Sequence, residues 1–272
     1  MNVYDVLIER EYKEIVIAIL LQHGFSSFEE ISDGDEKAGF RIWTGPDLDK
    51  AEVHSWFDMP VEVIAHTPAA YSIDVAQYSD RFRLVNDPTQ VLDDTDICLV
   101  SGAGFGWGEH ETTQMGLSYL WRFHPGKLRG KRVLDFGAGT GILGLAAQCC
   151  NAAFVQAIEI DDAAVHTLQL NISANQGVTE FKCDTRLTQE SSTYELILAN
   201  VYLDVLIAIL PDLCVRLAPK GTLWVSGFPT ARQDDIIHLA EQCDCKLMET
   251  AQIGSWASAS FTRKDKGERN RS

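Results

Sequence analysis

Two carboxylates and a run of glycines mark where this sequence could do chemistry. Asp135 stands near the end of a short apolar stretch, residues 133–136, and Gly137, Gly139 and Gly141 follow at once. Glu159 closes a second such stretch, residues 155–160, about twenty residues after the glycines. Strand, glycine turn and helix together bring backbone N–H groups and a helix N-terminus close to a ligand. Glycine is needed where the backbone takes a positive φ or a ligand must touch it. A carboxylate at the spacing of Glu159 is placed for ribose hydroxyls. Gly139, Gly141 and Gly144 also satisfy GxGxxG, which is the pattern of a dinucleotide site. Asp135 weighs against that ligand, because a pyrophosphate there would meet a like charge. The ammonium and sulfonium of S-adenosylmethionine would instead be stabilised by it. The pattern therefore predicts an S-adenosylmethionine site; a nicotinamide dinucleotide and a bare strand-to-helix turn are the competing readings.

A second glycine segment lies upstream. Residues 101–113 read SGAGFGWGEHETT, with four glycines between Gly102 and Gly108, as suits a loop passing close to a ligand. A helix follows over residues 114–122, and Thr112 or Thr113 can cap it. His110 is balanced between a structural and a functional reading. Asn200 ends a later apolar run, residues 195–199. In an open sheet the ligand sits outside the carboxyl ends of the strands at the switch point, so Asn200 would face the reacting group there. Its amide can accept a hydrogen bond from an amine and hold the lone pair in line. Asp184, at the end of a short strand over residues 181–183, could face an adenine amino group or simply make a turn.

The elements that must position these residues follow from the hydrophobic pattern. Strands are expected over residues 3–9, 28–31, 38–43 and 61–66, with helices over 11–23 and 47–57. The first helix should stop at Gly24, and the middle strands should be joined by a turn at residues 32–35. Strand-helix-strand-strand-helix-strand is the split βαβ, or ferredoxin-like, arrangement. Residues 67–96 carry Pro68 and Pro88 and read as a linker with room for one element of its own. A strand candidate at 97–100 precedes the glycine segment. Beyond residue 132 strands and helices alternate, with helices at 163–175, 203–217 and 232–242 and a strand at 221–226. Such alternation gives an α/β fold, a Rossmann-like parallel sheet with helices on both faces. Two strand-like runs, 246–253 and 256–263, suggest an antiparallel addition at one edge. The expected organisation is a small α+β domain over 1–66, a linker over 67–96, the sheet domain over 97–264 and a disordered tail over 265–272.

Composition narrows the class. The chain has 272 residues, 46% hydrophobic and 23% charged, ordinary values for a globular protein. The start lacks the basic and apolar regions of a signal peptide, and the longest aliphatic run, residues 15–21, is too short to span a bilayer. Seven scattered cysteines suit buried thiols in a reducing compartment, and their spacing gives no metal site. A soluble, cytoplasmic protein is expected. A net charge of −16 disfavours loose attraction to nucleic acid and favours a basic protein or an amine. No membrane partner and no direct nucleic-acid binding are expected.

The segment Phe105 to Thr113, FGWGEHETT, resembles the FGTGxHxTT signature of the bacterial methyltransferase family that modifies large-subunit ribosomal protein eleven. The likeness continues through VLDFGAGTGILGLAA, through IEIDDAAV with Asn171 and Asn175 downstream, and through LANV at residues 198–201. It spans about 100 residues. The resemblance implies a class I methyltransferase that uses S-adenosylmethionine and methylates amines of that ribosomal protein. It places Asp135, Gly137, Gly139 and Gly141 at the cofactor's amino-acid end. Glu159 would take the ribose with Asp161 nearby, and Asp184 would lie towards the adenine. Phe105, Gly106, His110, Thr112 and Thr113 would close over the methionine moiety, and Asn200 with the backbone of Val201 would orient the amine. The N-terminal module matches the family's substrate-recognition domain in size and pattern. Three departures stand out. Trp107 replaces the family's threonine and should add bulk beside the pocket; Tyr202 replaces a small or aliphatic residue; and the linker lacks the family's Trp- and Phe-containing pattern. They leave another protein or a small amine as the alternative substrate.

Overall fold

A computed structural model describes residues 2–23, 29–33, 37–44, 49–66, 82–91, 93–100, 102–175, 177, 179–187 and 192–264. The expected helix stop at Gly24, the turn residues Gly34 and Asp35, residues 67–81 of the linker and the tail 265–272 lie outside these.

The first six elements are β1 (Asn2–Glu9), α1 (Lys13–Gln22), β2 (Glu29–Asp33), β3 (Lys37–Thr44), α2 (Lys50–Ser55) and β4 (Glu62–His66). Their strands form one sheet in the order β2-β3-β1-β4, with every neighbouring pair antiparallel. That order is the split βαβ arrangement. Tyr4, Val6 and Ile8 alternate along β1 and share a buried cluster with Phe40, Ile42 and Val63 from the sheet and Val16, Leu20 and Val53 from the helices. The two-residue period of a strand puts these side chains on one face. Asp49 accepts a hydrogen bond from the Glu52 N–H at 2.8 Å and fixes the start of α2.

Next come β5 (Arg83–Val85) and β6 (Asp96–Cys98), a parallel pair held also by the buried Asp96 carboxylate against Arg83. The strand candidate at 97–100 therefore joins a strand from the linker stretch and stays out of the main sheet. The remaining chain runs α3 (Glu111–Trp121), β7 (Arg132–Phe136), α4 (Ile142–Cys149), β8 (Phe154–Ile158), α5 (Asp162–Ala174), β9 (Glu180–Asp184) and β10 (Tyr194–Asn200). It ends with α6 (Leu203–Val215), β11 (Leu217–Pro229), α7 (Gln233–Gln242), β12 (Cys245–Ile253) and β13 (Trp256–Arg263).

The large sheet has seven strands in the order β12-β13-β11-β10-β7-β8-β9. From β11 through β9 all neighbours are parallel. β13 is antiparallel to both β11 and β12, so the terminal hairpin is an edge addition with its earlier strand outermost. Along β10, Leu196 and Leu198 face a cluster with α3 and α4, while Ile197 and Ala199 face one with α6 and α7. Both faces are covered, which is why these strands read as continuous apolar runs. The chain leaves β7 towards β8 and β9, then returns to lay β10 on the other side of β7. A ligand site is expected at that reversal, outside the strand ends. Among the described residues no helix is long and apolar enough to cross a membrane.

Candidate active site

The turn after β7 is pinned by its own neighbours. The N–H groups of Gly137 and Ala138 both donate to the Ile158 carbonyl at 2.9 Å. Gly139 lies at φ 56°, and a Cβ there would stand 2.2 Å from the Phe105 carbonyl oxygen, so only glycine fits. Asp135 is buried, and its Oδ2 accepts the Gly144 N–H at 2.8 Å. Burial pushes the carboxyl up to about 7, against the opposing effect of that bond. The last glycine of the GxGxxG pattern thus serves the carboxylate; a Cβ on Gly144 would lie 3.1 Å from it. Glu159 reaches back across the turn, with Oε2 accepting the Gly139 N–H at 2.8 Å. Its Oε1 accepts the N–H groups of Ile160 at 2.7 Å and Asp161 at 3.0 Å. Since a carboxylate offers about four acceptor positions, one remains for a hydroxyl.

The upstream glycine segment lies directly over this turn. The Thr140 N–H donates to the Phe105 carbonyl at 2.9 Å, and the Thr140 hydroxyl donates to the Gly106 carbonyl. The Trp107 indole N–H donates to the Gly104 carbonyl at 2.8 Å, and its half-buried ring packs on the core cluster shared with α3 and α4. His110, not Thr112 or Thr113, caps α3. Its Nδ1 accepts the Thr112 N–H at 3.2 Å and lies 2.8 Å from the Thr112 hydroxyl. The helix starts three residues earlier than expected, so both threonines are inside it and buried. The His110 ring is T-shaped against Phe105 and against Trp256 at the start of β13, each at 5.1 Å between centroids. Burial lowers the His110 pKa, with Glu111 opposing weakly. The Thr113 hydroxyl is buried without a hydrogen-bond partner among the described residues.

Asn200 ends β10 half-buried beside Ser226 of β11. The next residue is wedged on both sides. A Cβ on Gly137 would meet the Val201 side chain at 2.2 Å, and one on Gly227 (φ 92°) would meet the Val201 carbonyl at 2.0 Å. Gly227 sits at a register shift in β11, so the strand end carrying Asn200 is held between the glycine turn and that irregularity. Asp161 caps α5, its Oδ1 accepting the N–H groups of Ala163 and Ala164 at 2.9 Å. Asp184 accepts Gln156 at 2.5 Å and Lys182 at 3.0 Å, both on Oδ2, and its carbonyl accepts the Glu159 N–H at 3.0 Å. Tyr202 is exposed at the start of α6.

The expected residues thus form one continuous patch at the switch point. Thr140, Trp256 and Gly227 belong to it and were not expected. Thr140 lay inside the glycine turn as an ordinary spacer, and the other two come from β11 and β13, later in the chain than β10. With two carboxylates at the turn, the patch fits a cationic, ribose-bearing cofactor and opposes a pyrophosphate. Among the described residues no cluster of three or more His, Cys, Asp or Glu could hold a metal.

Comparison with known proteins decides the family. The family model described as Ribosomal protein L11 methyltransferase (PrmA) matches residues 74–264. The chain belongs to this family. It is therefore an S-adenosylmethionine-dependent methyltransferase. A ribosomal protein L11 methyltransferase of Thermotoga neapolitana is 26% identical over 256 residues, 92% of this chain and 95% of its own length. One from Porphyromonas gingivalis is 36% identical over 169 residues, 61% of this chain and 57% of its own. The crystal structure of a ribosomal protein L11 methylase from Lactobacillus delbrueckii subsp. bulgaricus matches with a TM-score of 0.59 at 24% identity. That match covers 69% of this chain and 96% of the other, and it bears on the fold.

Proposed function

We propose that this methyltransferase methylates amines of ribosomal protein L11, lysine side chains or the N-terminus. The observation that carries the reading is the packing of Val201, the residue after Asn200 at the end of β10, against the glycine turn, in a chain of this family. When bound, S-adenosylmethionine supplies an electrophilic methyl group on a sulfonium. Asp135, Gly137, Gly139 and Gly141 hold the amino-acid end, and the free acceptor position of Glu159 takes the ribose beside Asp161. Asp184 would lie towards the adenine amino group. Phe105, Gly106, His110, Thr112 and Thr113 would cover the methionine moiety.

The acceptor must arrive neutral, and a free lysine has a pKa near 10.4. Desolvation at the site favours loss of that proton. The Asn200 amide oxygen and the Val201 carbonyl would accept the remaining amine hydrogens and so orient the lone pair. The bound cofactor would supply the methyl group there, its sulfur leaving with the C–S electron pair, and water would take the proton of the new ammonium. Positioning supplies most of the rate. His110 is not assigned as a base, since its Nδ1 is committed to Thr112. The α+β module over 1–66 recognises a basic protein, in keeping with the net charge of −16, in the cytoplasm and without direct nucleic-acid binding. Tyr202, exposed beside Asn200, supports a second reading in which another protein or a small amine is the acceptor.

Intact-mass spectrometry of purified ribosomal protein L11 after incubation with this protein and S-adenosylmethionine tests the proposal. Mass gains in steps of one methylene are expected. No gain, with the cofactor still bound, would move the assignment to the second reading.

A further inference from the structure

The two glycine segments touch one another directly, and both also pack on α5, which fastens them together. Asn171, within that helix, is fully buried. Its Oδ1 accepts the Val100 N–H at 2.8 Å, just before the upstream glycine segment. Its Nδ2 donates to the Thr140 carbonyl at 2.8 Å, inside the glycine turn. Thr140 in turn grips Phe105 and Gly106 through its N–H and hydroxyl. Asparagine is not favoured inside a helix for local reasons, so its place there reflects the two contacts it makes. One turn on, Asn175 provides an internal comparison. It accepts the Cys98 N–H at 2.7 Å and donates to the Cys98 carbonyl at 2.6 Å. It anchors β6 without reaching the glycine turn.

We propose that Asn171 is a positioning residue that, through Thr140, sets the spacing of the two glycine segments that enclose the cofactor. The proposal rests on the reading of those segments as the S-adenosylmethionine site. A single amide that accepts from one segment and donates to the other holds both at a fixed separation before ligand arrives, which lowers the ordering cost of binding. Asn175 performs the fold-anchoring half of the task alone. The two residues therefore separate positioning from stability.

Asn171→Asp keeps the shape and the bond from Val100 but turns a lone pair towards the Thr140 carbonyl. Asn175→Asp makes the matching change at the Cys98 carbonyl and at the Asn171 carbonyl, leaving the Asn171 side chain intact. Both should lower the melting temperature. Calorimetric titration with S-adenosylmethionine alone should show Kd raised about tenfold or more in N171D and within about twofold of wild type in N175D. Steady-state assays on ribosomal protein L11 should show the same split. In N171D the KM for the cofactor rises while kcat at saturation stays within about threefold. Equal affinities in wild type and N171D, or an equal loss in N175D, would overturn the proposal. Should N171D not fold, Thr140→Val removes the hydroxyl bond to Gly106 at constant volume, and unchanged cofactor affinity there would overturn it as well. Wild-type protein that binds no S-adenosylmethionine would remove the underlying reading itself, and that outcome is visible before any variant is compared.

Discussion

The turn at residues 137–141 and the loop at 102–108 are both glycine-rich, yet they are held by different means. The turn is fixed by the strand before it, the helix after it and the end of β8, all within about twenty residues. The loop follows a short strand in a separate two-stranded sheet and is fastened from outside by Thr140, Asn171 and its own Trp107. A turn built mainly by its neighbours can be read from sequence, although Phe105, Asn171 and Val201 also pack on it. A loop held by distant partners depends on all of them.

The largest expected effect comes from the point where the two meet. Gly139→Ala drives a Cβ against the Phe105 carbonyl at a left-handed backbone position, a strain of about 3 kcal/mol or more. Calorimetry should show cofactor affinity reduced by more than about 100-fold. Retained affinity would mean that the loop does not lie on the turn. Next, Asn200→Ala should lower kcat by roughly 100-fold with cofactor Kd almost unchanged. Gly227→Ala should imitate it with Asn200 intact, because the new Cβ displaces the Val201 carbonyl. A collapse of cofactor binding with turnover per bound complex preserved would show that Asn200 serves the cofactor.

A smaller, pH-dependent effect belongs to the turn alone. Burial raises Asp135 to about 7, above the value of about 3.9 expected in the unfolded chain. Its contribution to stability is therefore fully present below the unfolded value and is lost as pH rises through about 7. The difference in stability between cofactor-free wild type and Asp135→Asn should move against wild type across that window. Affinity for the cationic cofactor should move the other way and tighten as the carboxyl ionises, a trend absent from Asp135→Asn. A wild-type affinity flat between about pH 6 and about pH 8 would contradict the shifted carboxyl. The smallest effect is expected far from both segments. Arg122 and Glu249 pair across α3 and β12 with about half of each side chain exposed, so Glu249→Gln should cost under about 1 kcal/mol in thermal unfolding and leave cofactor affinity as it is.

The same contrast explains what the sequence disclosed. The six N-terminal elements and the alternating strands and helices were legible because each follows from a local period, as with Tyr4, Val6 and Ile8 on β1. Asp135, Glu159 and the three glycines were legible because strand, turn and helix fall in one stretch. The pairing of β5 with β6, the outermost place of β12, the capping of α3 by His110, and the entry of Trp256 and Gly227 into the site are contacts between separated segments. Capping also turned on competition: His110 placed Nδ1 where a threonine hydroxyl was expected, and Thr112 and Thr113 were drawn into the buried first turn of the helix.

The central claim is that these two unlike glycine segments enclose a single cofactor. Amide hydrogen exchange of the full chain, with and without saturating S-adenosylmethionine, tests it most directly. Enclosure predicts slowed exchange over residues 102–110 and 137–144 together, at one and the same half-saturating concentration. Protection of the turn with no change in the upstream loop would contradict it.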